Sequence, residues 1–210
     1  MSERWPSEPA KLDELEEDEE EEEELPAAEE EESELPQLRT AEDEQHAYGD
    51  LDIPDDVNVL EGSPDGARRG VAIVASRFNG EITNKLLEAA LAELDESGVA
   101  RNAITVMPVP GAFELPLAAM ALAKTRRYAC VIALGCVIRG ETPHFDFVAA
   151  ECASGLQLAG IETGVPVAFG VLTVDNVEQA EARIEKAAEA VRSALEMADL
   201  FARLRASARA

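Results

Sequence analysis

The chain lacks the residue patterns that mark a metal centre, a nucleotide-binding loop or a membrane span. Its three cysteines, Cys130, Cys136 and Cys152, show neither CxxC nor zinc-type spacing. An odd count without a disulfide pattern suits a reducing compartment. Histidine is scarce: there are two in 210 residues, and only His144 lies outside the acidic N-terminal third. No second His or Cys stands near it at ligand spacing, so neither a metal site nor a cofactor is expected. Neither GxxxxGK[ST] nor GxGxxG occurs, which removes the two commonest phosphate-loop signatures. The start, Ser2-Glu3-Arg4-Trp5-Pro6, leads into acidic residues rather than an apolar core, and no apolar stretch is long enough to cross a bilayer. These absences point to the cytoplasm and to no membrane partner.

Basic charge is also short, with 18 Lys and Arg against 44 Asp and Glu for a net charge of −26, and the imbalance is local. Residues 1–66 hold 27 acidic residues against Arg4, Lys11 and Arg39, a net −24, leaving 17 acidic and 15 basic residues for positions 67–210. The nearly neutral body gives no electrostatic case for a nucleic-acid partner, and the N-terminal segment would repel one. That segment includes nine consecutive carboxylates, Glu16 to Glu24, and Pro6, Pro9, Pro26, Pro36, Pro54 and Pro64 break any periodicity. It has too little apolar surface to offset its ordering entropy. The division expected is a disordered acidic tail over 1–66 and a folded domain over 67–210.

From Val71 apolar runs alternate with helical patterns. Val71–Ala75, Ile104–Val109, Ala129–Gly135 and Val165–Leu172 read as buried strands. Residues 81–97, 114–126 and 145–160 read as helices, with Gly98 placed to stop the first and Pro116 tolerable in the first turn of the second. After Gly170 there is neither Gly nor Pro, and Val177, Ile184, Val191, Leu195 and Leu204 keep helical register. Alternation of this kind predicts an α/β fold in three layers, α-β-α, around a four-stranded parallel sheet. Ligands of such sheets bind beyond the carboxyl ends of the strands, which selects loops 76–80, 110–114, 136–144 and 169–175.

Those loops contain the candidate residues. His144 is either an incidental loop histidine or a group that takes and gives a proton near neutral pH. Gly140, Glu141 and Thr142, after Arg139 and before a helix, are the parts of an anion site or simply a tight strand-to-helix loop. Phe78 and Phe113 at strand ends pack a rim or hold a flat heterocycle by stacking.

Three strings carry a family resemblance: Val74-Ala75-Ser76-Arg77-Phe78-Asn79, Pro110-Gly111-Ala112-Phe113-Glu114-Leu115-Pro116, and Gly135-Cys136-Val137-Ile138-Arg139-Gly140-Glu141-Thr142-Pro143-His144-Phe145-Asp146. With Phe169-Gly170-Val171-Leu172-Thr173 and the stretch Glu178 to Arg183, they resemble the signature loops of lumazine synthases. The resemblance implies condensation of 5-amino-6-ribitylaminouracil with 3,4-dihydroxy-2-butanone 4-phosphate to 6,7-dimethyl-8-ribityllumazine and phosphate, the penultimate step of riboflavin biosynthesis. It implies that Phe78 stacks on the pyrimidine, and that Ala112, Phe113 and Glu114 hold the ribityl chain and ring. The backbone at Cys136, Val137 and Ile138 would read the pyrimidine edge. Glu141 and Thr142 would bind phosphate and His144 would transfer protons. Phe169 and Arg183 would complete a neighbouring subunit's site, at the ring and at the phosphate. The assembly implied is a homo-oligomer, a pentamer or a 60-subunit shell, acting on small molecules with sites at subunit interfaces.

The sequence departs from that pattern twice. Glu141 stands where the family commonly has a small residue. The family's GTKxGNKG loop is also absent: Arg183 runs directly into Ile184-Glu185-Lys186-Ala187-Ala188. Residues 176–205 are therefore expected to form one long helix, or two helices joined by a bend without a loop. The shortened segment and the tail also suit a different class of function, a shell-forming scaffold with reduced or lost catalysis.

Overall fold

The computed structural model describes residues 51–207. Residues 1–50, most of the expected tail, lie outside the described residues. Residues 51–70 form neither helix nor strand. They are exposed as far as Glu61 and then fasten onto the domain: Ser63 donates from its amide and its hydroxyl to Asp199, and the Gly66 amide donates to Ser97 O.

Four strands follow, β1 (Val71–Ser76), β2 (Ile104–Val109), β3 (Cys130–Ile138) and β4 (Val167–Val174). They pair in parallel in the order β2-β1-β3-β4. The helices are α1 (Gly80–Glu96), α2 (Leu115–Lys124), α3 (His144–Thr163), α4 (Val177–Glu181) and α5 (Lys186–Ser207). Helices α1 and α5 cover one sheet face, with Leu86, Leu94, Val191 and Leu195 against Ile73 and Ile132. Helices α2 and α3 cover the other, with Leu115, Ala119 and Leu156 against Val74 and Val131. The expected three-layer α-β-α fold is the one observed. Strand β1 is buried along its whole length, as its unbroken apolar run requires.

Several boundaries move for physical reasons. Strand β3 runs on to Ile138 rather than stopping at Gly135, because β4 continues alongside and pairs Val137 with Thr173 and Ile138 with Val174. Strand β4 correspondingly occupies Val167–Val174. Helix α3 runs past Gly160 to a left-handed Gly164 (φ 63°) that closes it, as Gly98 (φ 82°) closes α1. Gly155 lies inside α3 because a Cβ there would meet Pro116 Cβ of α2 at 2.6 Å. Helix α2 begins at Leu115, preceded by a 3-10 turn at Ala112–Glu114. The chain after β4 takes the second of the two forms expected: α4 and α5 are joined by tight turns over residues 182–185, with no extended loop. Arg183 lies in that turn, not inside a helix. The expected apolar stripe holds at Val191 and Leu195, whereas Val177 and Leu204 are exposed. Alanines 187, 188, 190, 194 and 198 supply most of the buried face of α5.

Candidate functional site

The chain passes from β1 to β2 on one side, and then through α2 back across β1 to β3 on the other. The crevice between the carboxyl ends of β1 and β3 is therefore the topological switch point, where open α/β sheets bind ligands. A cleft of about 560 Å³ opens there.

Three loops build its walls. After β1, Asn79 adopts a left-handed conformation (φ 55°) and caps α1. Asparagine tolerates this region because its short amide side chain can bond locally, and here Asn79 Nδ2 donates to Cys136 O at 2.9 Å. That bond ties the β1 loop to β3 beneath the cleft and leaves Phe78 projecting, 70% exposed, on its rim. After β2, the 3-10 turn brings Ala112, Phe113 and Glu114 to the same cleft, with Ala112 buried and Phe113 59% exposed. After β3, Cys136, Val137 and Ile138 form the floor, and Gly140, Thr142 and His144 close the remaining side.

Strand β3 outruns its neighbour on this side. Pairing with β1 ends at Leu134, whereas pairing with β4 continues to Ile138. Main-chain groups of alternate residues point to opposite edges of a strand. The Arg139 N–H bonds Val174 O on the β4 side and Cys136 O faces Asn79. The main chain of Ile138 accordingly faces the cleft, where no strand covers it. Burial pushes the Cys136 thiol up to about 11, so it stays protonated at neutral pH and serves as a small apolar wall.

His144 begins α3, a helix of 20 residues whose N-cap, Pro143, offers no side-chain hydrogen bond. The Asp146 amide already donates to Pro143 O at 3.0 Å, which leaves the amides of His144 and Phe145 beside Thr142 at the positive end of the helix. Among the described residues, the side chains of Glu141, Thr142 and His144 make no hydrogen bond within the chain. The arrangement suits a ligand with a flat ring against an exposed phenylalanine and an anionic group at the start of α3.

The cleft thus gathers Phe78, Ala112, Phe113, Glu114, Cys136, Val137, Ile138, Thr142 and His144. Glu141 is in the same loop, exposed, but forms no wall of it. Phe169 and Arg183 lie elsewhere. Phe169 sits in edge strand β4 level with Ala133 and, with Lys186, Glu189 and Ser193 of α5, lines a separate cavity of about 430 Å³. Arg183 Nη1 donates to Gln179 O at 3.0 Å within its own turn. A further cavity of about 370 Å³ between α3, β4 and α5 is lined by residues such as Leu156, Ile161, Val167 and Phe201, with no titratable side chain, and offers no acid–base chemistry.

Sequence reasoning assigned no role to Asn79, Phe145, Phe147 or Val148, all of which line the cleft. An Asn-Gly pair closing a buried strand was the available signal for Asn79. Phe145 and Phe147 read as ordinary helix residues, and only the placement of the first turn of α3 shows their faces. Among the described residues, no three His, Cys, Asp or Glu side chains converge as a metal would need, and no helix is long and apolar enough to cross a membrane.

The family model for 6,7-dimethyl-8-ribityllumazine synthase matches residues 69–202. The match spans all four strands, helices α1 to α4, most of α5 and all three loops of the cleft. The chain therefore belongs to the 6,7-dimethyl-8-ribityllumazine synthase family, whose work is in riboflavin biosynthesis.

Proposed function

We propose that the protein catalyses the family's reaction, joining 5-amino-6-ribitylaminouracil to 3,4-dihydroxy-2-butanone 4-phosphate to give 6,7-dimethyl-8-ribityllumazine, with loss of water and inorganic phosphate. The observation that carries this reading is the convergence in one cleft of two exposed phenylalanines, an uncovered stretch of β3 backbone, and Thr142 and His144 at a helix start. The pyrimidine stacks on Phe78, with its edge against the main chain of Ile138. The ribityl chain lies along Ala112, Phe113 and Glu114. The phosphate is held by Thr142 and the first amides of α3, with Glu141 turned outward. His144 moves protons as the amine attacks the ketone, phosphate leaves and the ring closes, steps that need positioning and one proton shuttle.

In this reading the site is completed by a neighbouring subunit of a pentamer or 60-subunit shell. The neighbour's Phe169 packs on the ring and its Arg183 reaches the phosphate as an always-charged group able to contact two oxygens. The position of both residues outside their own chain's cleft supports this arrangement. The body from residue 67 carries the activity, in the cytoplasm. A second reading, a scaffold with weak or no catalysis, is favoured by one feature: the tight turn at 182–185 leaves no glycine-rich loop, and Arg183 is engaged with Gln179 O. Mixing the purified protein with both substrates and following lumazine absorbance separates the two, since the scaffold forms assemblies but no product.

A further inference from the structure

The loop from β3 to α3 carries Glu141 and Thr142 and delivers His144, yet little holds it. Its side chains are exposed and Pro143 contributes no cap. Among the described residues, the side-chain hydrogen bonds reaching residues 139–146 all come from Arg139. Its Nη1 donates to Asp146 Oδ1 at 3.0 Å and its Nε to Asp175 Oδ1 at 3.1 Å. Its guanidinium carbon stands 4.1 Å above the centre of the Phe145 ring. Its amide donates to Val174 O at 2.9 Å. Asp175 is itself tied to α4, because its amide donates to Gln179 Oε1 at 2.9 Å. One planar group therefore joins the end of β3, the residue after β4 and the first turn of α3, where Phe145 lines the cleft.

Arg139 is an obvious candidate for a phosphate ligand, being a cation beside the loop. Its setting argues otherwise. The guanidinium already faces two carboxylates and an aromatic ring, and Arg139 is not among the residues lining the cleft. A phosphate would have to displace a carboxylate to reach it. A guanidinium can serve two carboxylates while stacking on a ring; a lysine ammonium cannot hold that planar geometry.

We infer that Arg139 is a positioning residue: by bridging Asp146 and Asp175 across the Phe145 ring, it fixes the loop that presents Thr142 and His144 to the cleft. What the loop does there rests on the reaction proposed above; that Arg139 orders it does not. Exposed ion pairs add little to global stability, so the effect should be local.

The test uses the full-length assembled protein and two variants, Arg139→Lys and Asp175→Asn. In Arg139→Lys, the amides of residues 140–146 other than Pro143 should exchange hydrogen several-fold faster while the interior of β3 and the melting temperature scarcely move. Its kcat should fall about tenfold, as misplacement of a reacting group by a fraction of an ångström allows, with KM for the pyrimidine nearly unchanged. Asp175→Asn should do the same more weakly and leave the affinity for inorganic phosphate unchanged or lower. Wild-type loop exchange and kcat in Arg139→Lys would overturn the inference. So would tighter inorganic phosphate binding in Asp175→Asn, which would make Arg139 a ligand restrained by Asp175. If the wild-type protein forms no lumazine, the proposed reaction fails, and the exchange comparison still decides the role of Arg139.

Discussion

Replacing Gly155 by alanine tests whether the contact between α2 and α3 sets the width of the cleft. A Cβ at this position meets Pro116 Cβ at 2.6 Å and Pro116 Cγ at 2.9 Å. Carbon atoms pack at about 3.5–4.0 Å, so the helices must part by roughly 1 Å. Such overpacking costs about 1–3 kcal/mol. Alanine also gains about 1 kcal/mol of helix propensity over glycine, which hides part of the cost. Gly160, in the same helix, provides the control: its added Cβ would meet Val165 O at 3.7 Å and Val167 Cβ at 3.8 Å, ordinary contact distances. Both variants share the propensity gain, so their difference isolates the overlap. Gly160→Ala should raise the melting temperature slightly. Gly155→Ala should lie below it by ~2–12 °C, taking about 2–4 °C per kcal/mol for a domain of this size. Because Pro116 follows the Ala112–Glu114 wall and α3 carries His144, Gly155→Ala should also slow turnover, by up to about 100-fold for a 1 Å misplacement. Paired thermal melts and turnover measurements decide the matter. A Gly155→Ala protein as stable and active as Gly160→Ala would refute the packing argument.

Three further outcomes follow from the site. His144→Ala should keep the fold, by circular dichroism, and lose roughly ten- to a thousand-fold in turnover; an unchanged rate removes His144 from the mechanism. Arg183→Ala should weaken binding of the phosphorylated ketone and spare the pyrimidine, and assemblies co-expressed from His144→Ala and Arg183→Ala chains should be more active at low ketone than either parent, if Arg183 serves a neighbour. Equal loss for both substrates, or no recovery on mixing, makes Arg183 a residue of its own turn. Burial raises the thiols of Cys130, Cys136 and Cys152 from 9.0 to about 12, about 11 and about 11. The folded state keeps protons that the unfolded state releases above pH 9, so their stabilising contribution is full below that pH and is lost as pH rises toward 11–12; urea midpoints should fall between pH 8 and pH 10, and a rise would contradict the assignment.

The layered sheet was legible because its strands are continuous apolar runs between helical patterns, and burial on both faces leaves such runs no other use. The strand limits were less so. Nothing in Gly135-Cys136-Val137-Ile138 says that β3 outruns β1; that depends on how far β4 accompanies it. The helix expected over 145–160 runs on to Thr163, and the reason for a glycine at 155, the approach of Pro116, is invisible without the fold. The walls of the cleft were readable from the signature loops. Asn79 and Arg139, which brace those walls, were not, since their partners Cys136, Asp146 and Asp175 lie 57, 7 and 36 positions away. The absence of glycine and proline after Gly170 left one long helix and two helices joined by a bend equally open; the chain bends, and Arg183 stands in the turn itself, because the hydrogen bonds from Arg183 N to Ala180 O and from Lys186 N to Arg183 O replace the helical pattern there.

The most direct test of the proposed activity is to follow lumazine absorbance and inorganic phosphate together after wild-type protein is given both substrates. The account predicts that the two rise at equal rates, and that both slow in step with the His144→Ala substitution. Phosphate release without lumazine, or neither product from a folded, assembled protein, would contradict it.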